Sequence, residues 1–219
     1  MESFFFSLFM AIVDGVVFVF LALFILIQLG IVEAKGATTS ILEEDIALYP
    51  AQVFIAFLTG IGVLIGVLIG GYLADKKSRR FVVYLRFIIT SGALLLLMIP
   101  IPSPLAWIFL IFAVIVGASS GWSNSAFSSL TSQYSQQYPT APSTYYSICT
   151  PFVNLGTQLG LIFTGLVFNV VSGVTNETLI IYTTVFVSMI ILSNIALLPF
   201  VFMKKQIYEV DQELVKVKF

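Results

Sequence analysis

Histidine is absent from the 219-residue chain and cysteine occurs once, at Cys149. The first absence removes the commonest metal ligand and general base, and the second excludes an intrachain disulfide or a four-cysteine metal site. No metal and no cofactor is expected, the chain is not expected to be an enzyme, and Cys149 reads as a small apolar filler. No glycine loop of the nucleotide-binding kind occurs, so transport driven by ATP has no support. Charge is scarce as well, at 10% of residues against roughly a quarter in a soluble domain. Ten Lys+Arg against eleven Asp+Glu leave a net charge of -1, which argues against a nucleic-acid partner. What remains is an apolar chain, 59% hydrophobic, and a water-soluble globule is excluded. About 20 apolar residues cross a bilayer as a helix, so six spans consume roughly 120 and leave only short loops.

Hydropathy marks six spans, at about 4–32, 50–74, 81–101, 104–131, 143–171 and 178–203, followed by a tail at 204–219. The first is too long for a signal peptide, lacks a basic start and contains Asp14, so it reads as a retained helix. Lys76, Lys77, Arg79, Arg80 and Arg86 cluster at the second connection, and Lys204, Lys205, Lys216 and Lys218 lie in the tail. Lys35 sits alone among Glu33, Glu43, Glu44 and Asp45 in the first connection. The positive-inside rule then places both termini in the cytoplasm. The fifth connection faces outward and carries Asn176-Glu177-Thr178, an acceptor pattern for glycosylation at Asn176. Ile207, Val210, Leu214 and Val217 recur at helical spacing in the tail, as in a short amphipathic surface helix or a frayed segment. Trp107, Tyr182, Tyr72 and Tyr84 read as interfacial belt residues.

Polar residues inside the spans are few and patterned. Tyr146, Thr150, Asn154 and Gln158 repeat every four residues on one face of the fifth span, while Gly156 and Gly160 fall on the opposite side. The first face suits a wet cavity or interhelical hydrogen bonds, and the second suits helix packing. The fourth span repeats the plan with Ser120, Asn124 and Ser128 on one face and Gly117, Gly121 and Ser125 on the next. Trp122, mid-span, either meets a solute in the cavity or fills space. In the second span Gly62, Gly66 and Gly70 form a smooth stripe that lets another helix approach closely. Asp14 is the only acidic residue in the interior of a span, and an ionisable group there is a functional candidate by default. Counted from the cytoplasmic ends, Asp14 and Asn124 both lie roughly 15 Å deep and could share a cavity. A proton-coupling role is one reading of Asp14, and a structural pair with a snorkelling Arg86 is the other.

The second connection reads Gly71-Tyr72-Leu73-Ala74-Asp75-Lys76-Lys77-Ser78-Arg79-Arg80. It resembles the signature loop of the major facilitator superfamily, which lies between the second and third helices of a six-helix half, with Ser78 in place of the second glycine. Tyr138-Pro139-Thr140 before the fifth span resembles a Phe-Pro-Thr element common in that family, without the arginine that usually follows. The resemblance implies an all-α membrane protein of six transmembrane helices arranged as two inverted three-helix repeats, half of the usual twelve. It implies that helices one, two, four and five surround a polar cleft, with three and six outside. Gly71, Asp75, Lys76, Arg79 and Arg80 would belong to a cytoplasmic latch that opens during alternating access, and helix two would pack across the junction between halves. The fourth span carries no arginine, which leaves out the carboxylate–arginine pair of many sugar–proton relatives.

The expected function is a half-size secondary transporter of a small solute, with a proton as candidate coupling ion, working as a homodimer or with a second six-helix unit. The alternative is a non-transporting subunit that anchors or scaffolds a larger membrane complex. The expected location is the plasma membrane of a prokaryotic cell.

Overall fold

The computed structural model describes residues 2–31, 49–99, 101–135 and 142–202. The acidic first connection, the Tyr138-Pro139-Thr140 element and the 204–219 tail lie outside the described residues. The elements are α1 (Glu2–Gln28), α2 (Tyr49–Lys76), α3 (Arg79–Leu97), α4 (Ile108–Ser135), α5 (Pro142–Ser172), α6 (Thr178–Ile195) and α7 (Leu197–Phe202), with no strand among the described residues. Among the described residues, five helical stretches are long and apolar enough to cross a membrane, at 49–76, 79–97, 108–135, 143–172 and 179–202. The chain is thus an all-helical protein of membrane-spanning character.

The helix ends follow backbone chemistry where hydropathy cannot. α1 stops at Gln28, short of residue 32, because Gly30 takes φ +70 and the amides of Gly30 and Ile31 turn back to the carbonyls of Ile27 and Leu26. α4 starts at Ile108, later than 104, because a 3-10 turn at Ser103–Leu105, flanked by Pro102, precedes it. It then continues to Ser135, beyond the apolar run, since hydropathy marks where lipid contact ends and not where backbone hydrogen bonding ends. The sixth run divides at Ala196, ahead of Pro199, whose missing N–H and bulky ring cannot continue the ladder from Ile195.

α2 packs most extensively on α4, and α1 on α5; α3 lies against α4, and α6 against α1. Small residues set both of the closest pairs. Gly62 and Gly66 face the backbone of Val114 and Ala118, while Gly117 and Gly121 face Thr59 and Val63, so each helix lies in a groove of the other. Gly156 and Gly160 admit the α1 backbone at Leu8 and Ile12 in the same way. The stripe on α2, expected to be open to a second unit, is therefore covered by α4 of the same chain.

The apolar core is split in two. One cluster joins Phe24, Phe109, Phe168, Tyr182 and Phe186, and the other joins Phe6, Met10, Val82, Trp122, Phe127 and Phe200. Tyr182, expected at an interfacial belt, is 2% exposed and packs edge-on against Phe168. Trp107, Tyr72 and Tyr84 are exposed, as belt residues would be.

Candidate functional site

Between the two apolar clusters lies a layer of buried polar side chains: Arg86 and Thr90 from α3, Ser119, Ser120 and Ser123 from α4, and Ser193 from α6. Asp14 enters it from α1. Its Oδ1 accepts a hydrogen bond from Ser120 Oγ at 3.1 Å, and the side chain is half-buried. The i, i+4 spacing of α4 makes Ser120 the inner end of a line that continues through Asn124 and Ser128, both exposed. Asp14 therefore stands where a polar line from the helix surface meets the interior.

Arg86 is 1% exposed and does not reach for the membrane interface. Nε donates to Ser123 Oγ at 2.8 Å, and Nη2 donates to the Met10 carbonyl and, at 3.4 Å, to Ser193 Oγ. These acceptors on α4, α1 and α6 hold the guanidinium inside, which corrects the snorkelling expectation. Arg86 and Asp14 act on each other electrostatically with no direct ion pair between them among the described residues. Sequence reading reached Asp14 and Ser120 but missed Ser123, Ser193 and Thr90. A serine on a transmembrane helix carries no sign of which neighbour it meets, and only Arg86, seven residues inside α3, offered a signal.

The polar face of α5 is on the outside of the helical body. Tyr146, Thr150, Asn154 and Gln158 are exposed, Thr150 Oγ1 donates to its own helix at the Tyr146 carbonyl, and Phe127 of α4 approaches the Tyr146 ring at 6.4 Å. α4 and α5 thus bring Asn124 and the α5 stripe to neighbouring exposed positions. Trp122 is not among them. It is 6% exposed, and its Nε1 donates to the Val82 carbonyl at 2.9 Å, so it ties α4 to α3 in the core.

The basic connection has local partners. Lys76 lies over Tyr72, Lys77 over Phe81, and Arg80 donates to Tyr84 Oη at 3.0 Å while its guanidinium sits 5.5 Å from that ring. Asp75 is exposed and attracts Arg79 one turn on. Gly71 faces Ser125 of α4, Gly70 packs beside it, and Asn176 is exposed between α5 and α6. No acidic or sulfur cluster able to hold a metal occurs among the described residues.

No family model, no curated protein and no solved structure matches the chain.

Proposed function

We propose that the chain is one six-helix half of a secondary transporter of the major facilitator type, that it moves a small solute with a proton as the coupling ion, and that Asp14 carries that proton. The observation that carries the reading is the placement of Asp14 at the junction of the buried polar layer with the α4 line that runs from buried Ser120 out to exposed Asn124 and Ser128. A carboxyl there can exchange protons with one surface and register the change in the core.

Two further features support it. α1 has 27 helical residues, about 40 Å at the helical rise, enough for a sixth span. The packing is also consistent with two repeats, because exchanging α1–α3 with α4–α6 maps the pair α2·α4 onto α5·α1, α3·α4 onto α6·α1, and α2·α3 onto α5·α6. The exposed stripe on α5 would face the solute path, and a second copy of the chain would complete that path. The basic connection would lie in the cytoplasm as the latch.

The test is solute uptake by proteoliposomes under an imposed pH gradient, screened over a panel of small solutes. Asp14→Asn is expected to abolish proton-driven uptake while leaving expression and folding normal. Unchanged driven uptake in that variant would remove Asp14 from the coupling site, and no uptake of any solute by wild type would favour the anchoring subunit.

A further inference from the structure

A guanidinium has five N–H donors and no acceptor, so burying it requires acceptors and a compensating charge. The acceptors found for Arg86 are neutral: Ser123 Oγ, the Met10 carbonyl and Ser193 Oγ. The guanidinium lies over the Phe87 ring, but its Nη1 is buried without a hydrogen-bond partner, and so is Thr90 Oγ1 one turn further along α3. Asp14 supplies the opposite charge in the same layer: it lies one turn beyond Met10 on α1, and its partner Ser120 lies one turn before Ser123 on α4, so these two contacts of Arg86 flank it. Ser120 and Ser123 lie one turn apart on α4, so the same helix grips both ions.

Around this pair the other helices bring mainly neutral groups. α4 contributes hydroxyls, α5 contributes Tyr145, Tyr146 and Cys149, and α6 contributes Tyr182 in the far apolar cluster. The charges of α2 and of the first turn of α3, namely Asp75, Lys76, Arg79 and Arg80, sit at the helix ends. α7 carries no titratable side chain.

We propose that Arg86 is the positioning residue of the coupling site: it is the fixed counter-charge of Asp14, and its hydrogen bonds fasten α1, α4 and α6 to α3, so that proton transfer at Asp14 is converted into strain at one four-helix junction. This rests on the reading of Asp14 as the proton carrier. When Asp14 takes up a proton, the buried guanidinium loses its compensating charge, and an uncompensated buried ion is unstable. Relief requires Nη1 to find a new acceptor or water to enter, and either change loosens the bonds to Met10, Ser123 and Ser193. α1 and α4, which also carry the glycine-packed partners α5 and α2, are then free to shift as pairs.

The full-length chain in lipid vesicles can be treated with dicyclohexylcarbodiimide, which attacks protonated carboxyl groups in apolar sites, and modification at Asp14 read by peptide mass spectrometry across a pH series. Arg86→Gln is expected to raise labelling near neutral pH at least about fivefold, because loss of a neighbouring positive charge favours the protonated carboxyl. Arg86→Lys, which keeps the charge, is expected to restore labelling to within about twofold of wild type. The pair Ser123→Ala with Ser193→Ala keeps the charge but frees its seat, and is expected to give an intermediate profile. A wild-type profile in folded Arg86→Gln would overturn the proposal. Should that variant fail to fold, a wild-type profile in the folded serine pair would overturn it equally. The readout needs no solute, so a chain that labels as expected yet transports nothing refutes the transport reading alone.

Discussion

Single side chains decide where this sequence departs from the pattern it resembles. Ser78 stands where the signature loop has its second glycine. Its φ of -166 is extended backbone that any residue adopts, so no glycine is required there, and its Oγ accepts from the Phe81 amide at 3.1 Å as the N-cap of α3. One serine thus ends the connection and satisfies an otherwise orphaned helix donor. Ser78→Ala is expected to cost about 1 kcal/mol and Ser78→Gly only a few tenths, since glycine leaves the amide open to water. Thermal unfolding in detergent measures both. No measurable loss in either variant would show that the cap bond contributes nothing and that the loop needs serine for another reason.

Helix pairs are where the close packing resides. A Cβ at Gly66 would meet the Ala118 carbonyl and the Trp122 amide, both backbone atoms that cannot rotate away, whereas a Cβ at Gly60 on the same helix meets open space. Gly66→Leu is therefore expected to separate α2 from α4, with an overpacking cost of at least about 1–3 kcal/mol, and Gly60→Leu is expected to melt like wild type. Size-exclusion profiles and melting curves of the two variants, taken side by side, test the pairing, and equal behaviour would refute it. The existence of these helices was legible in the sequence because hydropathy is a property of single residues summed along a run. The small-residue faces on α4 and α5 were legible too, through their i, i+4 spacing. Which helix each face meets was not, because a glycine stripe specifies close approach without naming the partner. The same limit applies to the polar layer. Asp14 and Ser120 were both marked, but the hydrogen bond between them spans 106 positions of chain, and no local pattern encodes it.

At the scale of the whole molecule, the helical body presents a surface that lipid alone cannot suit. Asn124, Tyr146, Thr150, Asn154 and Gln158 are exposed, and Asp14 is half-buried, bonded to Ser120 one turn before Asn124. Hydrocarbon offers these groups no hydrogen bonds, and a carboxylate near the bilayer centre costs roughly 2.5–3.5 kcal/mol even on the mildest insertion scale. A covering unit is the physical remedy. The glycines of α2 are spent against α4, so a covering unit would use the exposed strip of α4 and α5 instead. A second copy placed by a two-fold axis would oppose Asn154 to the same strip of its partner and enclose a shared polar path. In a Cys149→Ser background, Asn154→Cys is expected to form a cross-linked dimer in membranes, while Ile191→Cys, exposed on the apolar face of α6, is expected to stay monomeric. Native mass spectrometry from mild detergent should find twice the chain mass. A single-chain mass together with no cross-link at residue 154 would exclude the homodimer, and a heavier assembly containing another protein would assign the strip to a different partner.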